Sequence, residues 1–344
     1  MLGETFRLTL MGNILITGAS GFIGSFLVEE ALKRDLTVYA GIRKSSSRLY
    51  LQDPRIRFAV LDFTDKSRIK EFLLDQKQKG INFDYIIHNA GLTKAKKKVD
   101  FYRVNYIFTR HFIEALKETG AVPLKFVYIS SLAAYGPGDS VSMKPVMLND
   151  TPKPVDEYGK SKLEAEKYIA SLNDFPWLII RPSGVYGPRE KDYFVYFKTI
   201  NRGMEPYIGF KPQILTFIYV RDLVRLILDA TVSEISGRSY FVTDGKHYNS
   251  REFAAITKKH LQKKTLSFSL PSGLVGGIAL LLEKLFSLTG NMPTLNKDKF
   301  NIMKSANWTC QVDMLQKDFS FNAEYDLDKG VKEALEWYKK EGWL

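Results

Sequence analysis

Cysteine is almost absent: Cys310 is the single one in 344 residues, so no intrachain disulfide can form, which suits a reducing compartment. Histidine is scarce as well. His88, His111, His247 and His260 stand far apart without metal-ligand spacing, so no metal site is expected. No apolar run reaches the roughly 20 residues of a membrane span, and none opens the chain as a signal peptide would. The expected location is therefore cytoplasmic. No internal repeat or low-complexity tract is present. Positive charge is in excess, with 50 Lys and Arg against 38 Asp and Glu and a formal net charge of +12. These cations are spread along the chain without a nucleic-acid module, which argues against nucleic acid as a partner. Phosphorylated small molecules and anionic membrane surfaces fit the charge better.

The first 180 residues alternate short β-branched runs with helical patterns. That order predicts βα units and an α/β, doubly wound parallel sheet. The predicted strands are Asn13–Thr17, Leu36–Ala40, Ile56–Leu61, Tyr85–His88, Lys125–Ser130 and Trp177–Arg181, with Ser239–Thr243 returning to the same sheet. Residues 11–182 with 216–245 are expected to form a dinucleotide-binding domain. Residues 183–215 with 246–344 would form a smaller, mostly helical lid, and 1–10 an extension. The segment Leu270–Leu288 is apolar but interrupted by Glu283 and Lys284. It reads first as a buried lid helix; an apolar wall for a greasy substrate, or a helix touching the bilayer surface, are the other readings.

Directly after the first strand stands Gly18-Ala19-Ser20-Gly21-Phe22-Ile23-Gly24. Glycines allow the tight turn and the close approach of a pyrophosphate, which the helix N-terminus then stabilises. The amphipathic run Phe22–Leu32 supplies that helix. No Asp or Glu occurs between Asp35 and Asp53, where an NAD-binding carboxylate would sit; Arg43 and Lys44 follow the second strand instead. A guanidinium can grip a 2′-phosphate that a carboxylate would repel, so the expected cofactor is NADP(H). Asp62 and Phe63, after the third strand, are placed to meet the adenine edge. Asn89, Ala90 and Gly91 are small enough to let the cofactor's riboses pass.

Tyr158 and Lys162 are four apart in Tyr158-Gly159-Lys160-Ser161-Lys162, at the start of the helical run Ser161–Leu172, and share one helix face. The ammonium would draw the phenol pKa down from about 10 toward working pH. Ser131 closes the fifth strand and can donate to a substrate oxygen. The chain resembles the extended short-chain dehydrogenase/reductases, with nucleotide-sugar epimerases and dehydratases, dihydroflavonol-type reductases and 3β-hydroxysteroid dehydrogenases among them. The resemblance runs from Met11 nearly to Leu344. It rests on GASGFIGS at 18–25, HNAG at 88–91, YISSLAAYG at 128–136, YGKSK at 158–162, RPSGVYGPR at 181–189 and YVRDLVRLIL at 219–228. It implies that Tyr158 is the general acid/base and that Lys162 tunes it and binds the nicotinamide ribose. Ser131 would be the catalytic serine and Asn105 its supporting asparagine. Pro182 and Val185 would meet the nicotinamide ring, and a homodimer is common among such proteins.

The expected activity is NADPH-dependent reduction of a hydrophobic, lipid-derived ketone such as a 3-keto sphingoid base or a keto-sterol. Leu132 and Ala133 stand after Ser131 where dehydratases carry an acidic pair. The lid segment, continued by Pro293-Thr294-Leu295-Asn296-Lys297-Asp298-Lys299, looks like that of sterol-dehydrogenase and dihydroflavonol-reductase-like members. Nucleotide-sugar epimerisation with NAD is the alternative enzyme, and a catalytically silent NADP-binding subunit the alternative outside catalysis. Substrate contacts are expected from Thr93, Lys94, Tyr135, Arg189 and Tyr193. The run Lys94, Lys96, Lys97 and Lys98 reads as a solvated loop, or else as a patch that steers anions or leans on an acidic membrane.

Overall fold

Consecutive side chains of a strand point to opposite faces, so a strand buried on both sides must be apolar at every position. Ile14, Leu15 and Ile16 are all at 0% exposure, which shows both faces of the first strand covered. Ile14 and Ile16 pack with one set of helices, Leu15 with the other. The computed structural model describes residues 12–289 and 295–344. The extension 1–10, and Pro293 and Thr294 of the lid, lie outside the described residues.

In chain order the elements of the first half are β1 (Asn13–Thr17), α1 (Phe22–Lys33), β2 (Thr37–Ile42), β3 (Arg57–Val60), α2 (Lys66–Gln78) and β4 (Tyr85–His88). There follow α3 (Lys98–Tyr102), a π-helical turn (Arg103–Ile107), α4 (Phe108–Glu118), β5 (Lys125–Ile129), a 3-10 turn (Leu132–Ala134), α5 (Glu157–Ala170) and β6 (Trp177–Pro182). The lid and its return comprise β7 (Gly184–Tyr186), α6 (Asp192–Asn201), β8 (Met204–Ile208), β9 (Ile214–Leu215), β10 (Phe217–Tyr219), α7 (Val220–Val232) and β11 (Arg238–Val242). The C-terminal part adds β12 (Tyr248–Asn249), α8 (Ser250–Leu261), β13 (Leu266–Leu270), α9 (Ser272–Thr289), α10 (Lys297–Lys304), β14 (Asn307–Trp308), α11 (Asp313–Phe319) and α12 (Leu327–Lys340).

The seven long strands form one sheet in the order β11-β6-β5-β4-β1-β2-β3, every pair parallel. Strand order reverses between β1 and β4. The crevice beyond their carboxyl ends is where such sheets bind ligands. The lid has a core of its own, rich in rings: Tyr186, Phe197, Phe217, Tyr219, Phe253 and Tyr338. Leu315 and Phe321 leave the lid and join the sheet's core beside α1 and α7.

Two expectations change. The catalytic-region helix starts at Glu157 rather than Ser161, because Asp156 caps it by accepting from the Gly159 N–H at 3.0 Å. The apolar α9 is not a buried helix. Val275 and Ala279 face inward, while Leu274, Leu280 and Leu281 stand 54%, 56% and 57% exposed. A continuous apolar run carries no information about which neighbours will cover it.

Candidate active site

The glycine loop is shaped by close packing at the strand reversal. Gly18 has φ +67°, and a Cβ there would come within 2.8 Å of the Ala90 Cα. A Cβ on Gly24 would stand 2.1 Å from the Gly18 carbonyl oxygen, so the first turn of α1 lies directly on the loop. Gly21 caps α1 without a side-chain hydrogen bond. The helix N-terminus, with Ser20, Phe22 and Ile23 around it, therefore keeps its N–H groups for an anionic ligand. The Asn89 amide donates to the Gly18 carbonyl at 3.4 Å, and the Ala90 N–H to the Thr17 hydroxyl at 3.1 Å. The Ala19 N–H reaches the Gly41 carbonyl at 3.3 Å, joining the loop to the end of β2. Arg43 and Lys44 follow there, both exposed, and no carboxylate among the described residues pairs with either.

Across the reversal the catalytic-type residues converge. Ser131 caps the 3-10 turn, its hydroxyl accepting from the Ala133 N–H at 3.1 Å. Tyr158 sits in the first turn of α5, its phenol within hydrogen-bonding reach of Ser131. Gly159 makes this possible: a Cβ there would lie 2.1 Å from the Ala133 carbonyl oxygen, so only glycine lets α5 press against the serine's turn. Phe101, from α3, packs edge-on to the Tyr158 ring at 6.3 Å. One turn along, the buried Lys162 ammonium donates to the Ile129 carbonyl at 2.8 Å and lies 4.7 Å from the centre of the Tyr128 ring. Burial pushes its pKa down to about 8, with Glu166 opposing.

Asn105 lies in the π-helical turn and is fully buried. Its side chain accepts from the Leu92 N–H at 2.7 Å and donates to the Leu92 carbonyl at 3.0 Å and the Ser161 hydroxyl at 2.9 Å. It thus clamps the loop after β4 to α5. A Cβ on Gly91 would meet the Asn105 Oδ1 at 3.0 Å and the Lys162 Nζ at 3.3 Å, so a side chain there would press on both.

Tyr158 departs from expectation. Burial is the largest influence on its phenol and pushes the pKa well up; the Ser131 hydrogen bond opposes this, and Asp156 and Glu166 add to it. The Lys162 ammonium is turned to the Ile129 carbonyl.

A glycine loop at the strand reversal and a Ser-Tyr-Lys set beyond β5 define a dinucleotide site beside a proton-transfer site. The NAD dependent epimerase/dehydratase family pattern matches residues 14–243. The chain belongs to that family. It is an extended short-chain dehydrogenase/reductase, NAD(P)-dependent and acting on an alcohol/keto pair. Mouse (Mus musculus) sterol-4-alpha-carboxylate 3-dehydrogenase, decarboxylating, is 25% identical over 93% of this chain and 89% of its own. The N-acetyl-alpha-D-glucosaminyl-diphospho-ditrans,octacis-undecaprenol 4-epimerase of Escherichia coli O157:H7 is 27% identical over 94% of this chain and 95% of its own. Among solved structures, the UDP-glucose 4-epimerase of Thermotoga maritima superposes with a TM-score of 0.77 at 18% identity, covering 96% of this chain and 99% of that one, a likeness of fold.

Within this epimerase/dehydratase-family site, several expected contacts are engaged elsewhere. Arg189 does not face the cleft. At φ +74° it turns back onto α1, pairing with Glu29 at 2.6 Å, donating to the Ser25 hydroxyl at 2.9 Å and stacking on Phe26 and Tyr50. Tyr135 gives its hydroxyl proton to the Leu148 carbonyl at 3.0 Å and lies under the Arg181 guanidinium. Tyr193 packs among Tyr186, Phe217 and Phe253 in the lid core. Lys94 is exposed and paired with Asp192, and Thr93 is exposed near it. The Asp62 carboxylate is engaged by its own turn, accepting from the Thr64 N–H at 3.0 Å and hydroxyl at 2.6 Å and pairing with Arg68, and its pKa is lowered. The Phe63 ring is turned toward His88 and Phe112, leaving its backbone for a ligand. Pro182 ends β6 and Val185 lies half-buried in β7.

Other residues support the site in ways that the sequence did not show. His88 is buried between the Thr17 hydroxyl at 2.9 Å and the Thr109 hydroxyl at 3.0 Å; burial holds its pKa at about 3, so it stays neutral. Thr17 in turn holds Ala90, and Thr109 donates to the Asn105 carbonyl at 2.8 Å. The hydroxyls of Ser130 and Ser183, at the ends of β5 and β6, are buried without a protein partner.

Proposed function

We propose that the protein reduces a hydrophobic, lipid-derived ketone, of the type of a 3-keto sphingoid base or a keto-sterol, with NADPH. The observation that carries this reading is the convergence of the Ser131 hydroxyl, the Tyr158 phenol and the buried Lys162 ammonium beside the glycine loop, a set of donors for a carbonyl oxygen. A phenol that keeps its proton at neutral pH is ready to act as an acid, which carbonyl reduction needs; alcohol oxidation needs the phenolate. When bound, the nicotinamide supplies the hydride. Ser131 and Tyr158 donate to the carbonyl oxygen, and Tyr158 releases its proton as negative charge builds there. The Lys162 ammonium, buried and close by, then stabilises the phenolate, and it would hold the ribose of a bound nicotinamide. Asn105 holds the β4 loop and α5 at fixed spacing throughout.

Three features support the finer assignment. Arg43 and Lys44 offer cations to a 2′-phosphate where an NAD-specific carboxylate is missing. After Ser131, Leu132 is buried and Ala133 is apolar, so no side chain there can protonate a leaving hydroxyl. The mouse relative's name specifies a sterol and the E. coli relative's a polyprenyl carrier, both lipid-borne alcohols.

Fluorescence titration of NADPH and NADH against wild type and Arg43→Ala tests the cofactor assignment. The expected result is an NADPH preference that falls about tenfold to a hundredfold in the variant, the worth of a charge-assisted phosphate contact. Long-chain and sterol ketones are then offered with NADPH. Turnover of UDP-sugars with NAD, and none of these ketones, would replace reduction by epimerisation. NADPH binding without turnover of any carbonyl would leave a silent binding subunit.

A second expectation concerns pH. The Lys162 pKa of about 8 belongs to the empty cleft. Above it the ammonium loses the proton it would donate, so dinucleotide affinity is expected to weaken as pH rises past about 8. Dissociation constants measured from about pH 7 to about pH 9.5 check this. Lys162→Met should bind more weakly and without that inflection; a flat wild-type profile would contradict the assignment.

A further inference from the structure

We propose that the lid docks on an anionic lipid bilayer through α9 and the β8–β13 ribbon. This surface lies outside the catalytic site, and its test is independent of which ketone is reduced.

A surface helix normally presents polar residues to water and apolar ones to the core. In α9 the side facing the protein is apolar, with Val275 and Ala279 buried and Gly276 making room for the Phe300 ring of α10, 3.0 Å from where a Cβ would stand. The outer side is apolar too. Leu274, Ile278 and Leu281, at i, i+4 and i+7, share one face and are 54%, 41% and 57% exposed, with Leu280 beside them at 56%. A stretch apolar all round, as this helix is from Leu274 to Leu282, belongs in a core or in lipid, and this one is not in a core.

The strand that feeds α9 continues the surface. β13 pairs in parallel register with β8, Leu266 opposite Met204 and Phe268 opposite Pro206. Those four therefore point to one side of the ribbon. Leu266 is 73% exposed, Met204 44% and Phe268 37%, and Pro206 is exposed as well. Just beyond β8, Phe210 stands 71% exposed. Pro271 joins β13 directly to α9, so the two apolar faces adjoin along the chain.

Charge selects the occupant. The exposed charged residues of 202–211 and 262–284 are Arg202, Lys211, Lys263, Lys264 and Lys284, all cations. The carboxylates of those segments are withdrawn: Glu205 is buried against Lys258 at 2.7 Å, and half-buried Glu283 accepts from the Lys297 N–H at 3.2 Å. An apolar surface bordered by cations matches the acyl–headgroup boundary of an anionic leaflet. No helix among the described residues is long and apolar enough to cross a membrane, so the contact is one of lying on the surface.

The test is co-sedimentation of the full chain with vesicles of phosphatidylcholine alone and with about 30 mol% phosphatidylglycerol. Binding is expected to the anionic vesicles, weakened by salt. Leu274→Ser/Leu281→Ser should lower the partition coefficient about tenfold or more, and Lys263→Glu/Lys264→Glu should lower it on anionic vesicles alone. All four positions are exposed; an unchanged Tm and unchanged NADPH affinity would confirm that each variant folds. Absence of vesicle binding, or binding that survives both variants, overturns the proposal. So does a dimer on gel filtration that Leu274→Ser/Leu281→Ser dissociates while wild type ignores vesicles, since the face would then belong to a second copy.

Discussion

Tyr158→Phe is expected to bind the dinucleotide as wild type does and to lose about 10³-fold in turnover, within the range for removal of a general acid. The loss should fall on kcat, because the missing hydroxyl matters as charge builds on the carbonyl oxygen. The ring is held by Phe101 and by α5, whose approach to the serine's turn depends on Gly159, so phenylalanine should occupy the same place. Ser131→Ala should show a smaller loss and a still higher phenol pKa, since the Ser131 hydrogen bond is what opposes burial. Steady-state kinetics over pH, with dinucleotide affinity measured separately, would check both. Wild-type kcat in Tyr158→Phe would remove the phenol from the reaction.

The second large effect lies outside the chemistry. Arg181 of β6 and Glu166 of α5 form an ion pair with side chains 6% and 4% exposed. The guanidinium Nε lies 3.0 Å from both carboxylate oxygens, one terminal nitrogen is 2.9 Å from Oε2, and the other donates to the Ser239 hydroxyl at 2.9 Å. Its flat face covers the Tyr135 ring at 4.5 Å. Removing one partner strands the other charge in a dry interior, at a cost of about 3–5 kcal/mol. Against a total stability of about 5–15 kcal/mol, Arg181→Met should be severely destabilised. Arg181→Met/Glu166→Leu should recover much of the loss, because a buried pair is often replaceable by apolar residues of similar volume. Denaturant melts of wild type, these two variants and Glu166→Leu form the cycle; additive losses would mean that the pair is not coupled. Glu166 is one turn beyond Lys162 and raises its pKa, so Glu166→Gln should also move the pH inflection of dinucleotide binding downward.

The parallel sheet was legible because strands covered on both faces leave continuous apolar runs, and β1 and β4 match the predicted strands residue for residue. The glycine loop was legible because its spacing is set by close approach. Side-chain direction was not. Arg189 looks like a cleft residue beside Tyr186-Gly187-Pro188, yet its partner Glu29 lies 160 residues away on α1. Tyr135 and Tyr193 were drawn toward the substrate by position in the chain, whereas aromatic packing decides where their rings go. His88 was weighed as a metal ligand and set aside; its role between Thr17 and Thr109 depends on partners 71 and 21 residues off. The raised phenol pKa was invisible as well, because the i, i+4 spacing of Tyr158 and Lys162 says nothing about the burial that raises it.

The π-helical turn at Arg103–Ile107 limits how this protein can change in length. There the Phe108 N–H reaches back five residues to the Arg103 carbonyl, so the turn holds one residue more than an α-helix would. That surplus residue sets the angular position of Asn105. Removing a residue from the turn would let the helix close regularly and would take Asn105 out of the bulge from which it reaches Leu92 and Ser161. Length variants among descendants of this chain should therefore accumulate in its loops and spare this turn, where a deletion would loosen the hold of Asn105 on the β4 loop and α5.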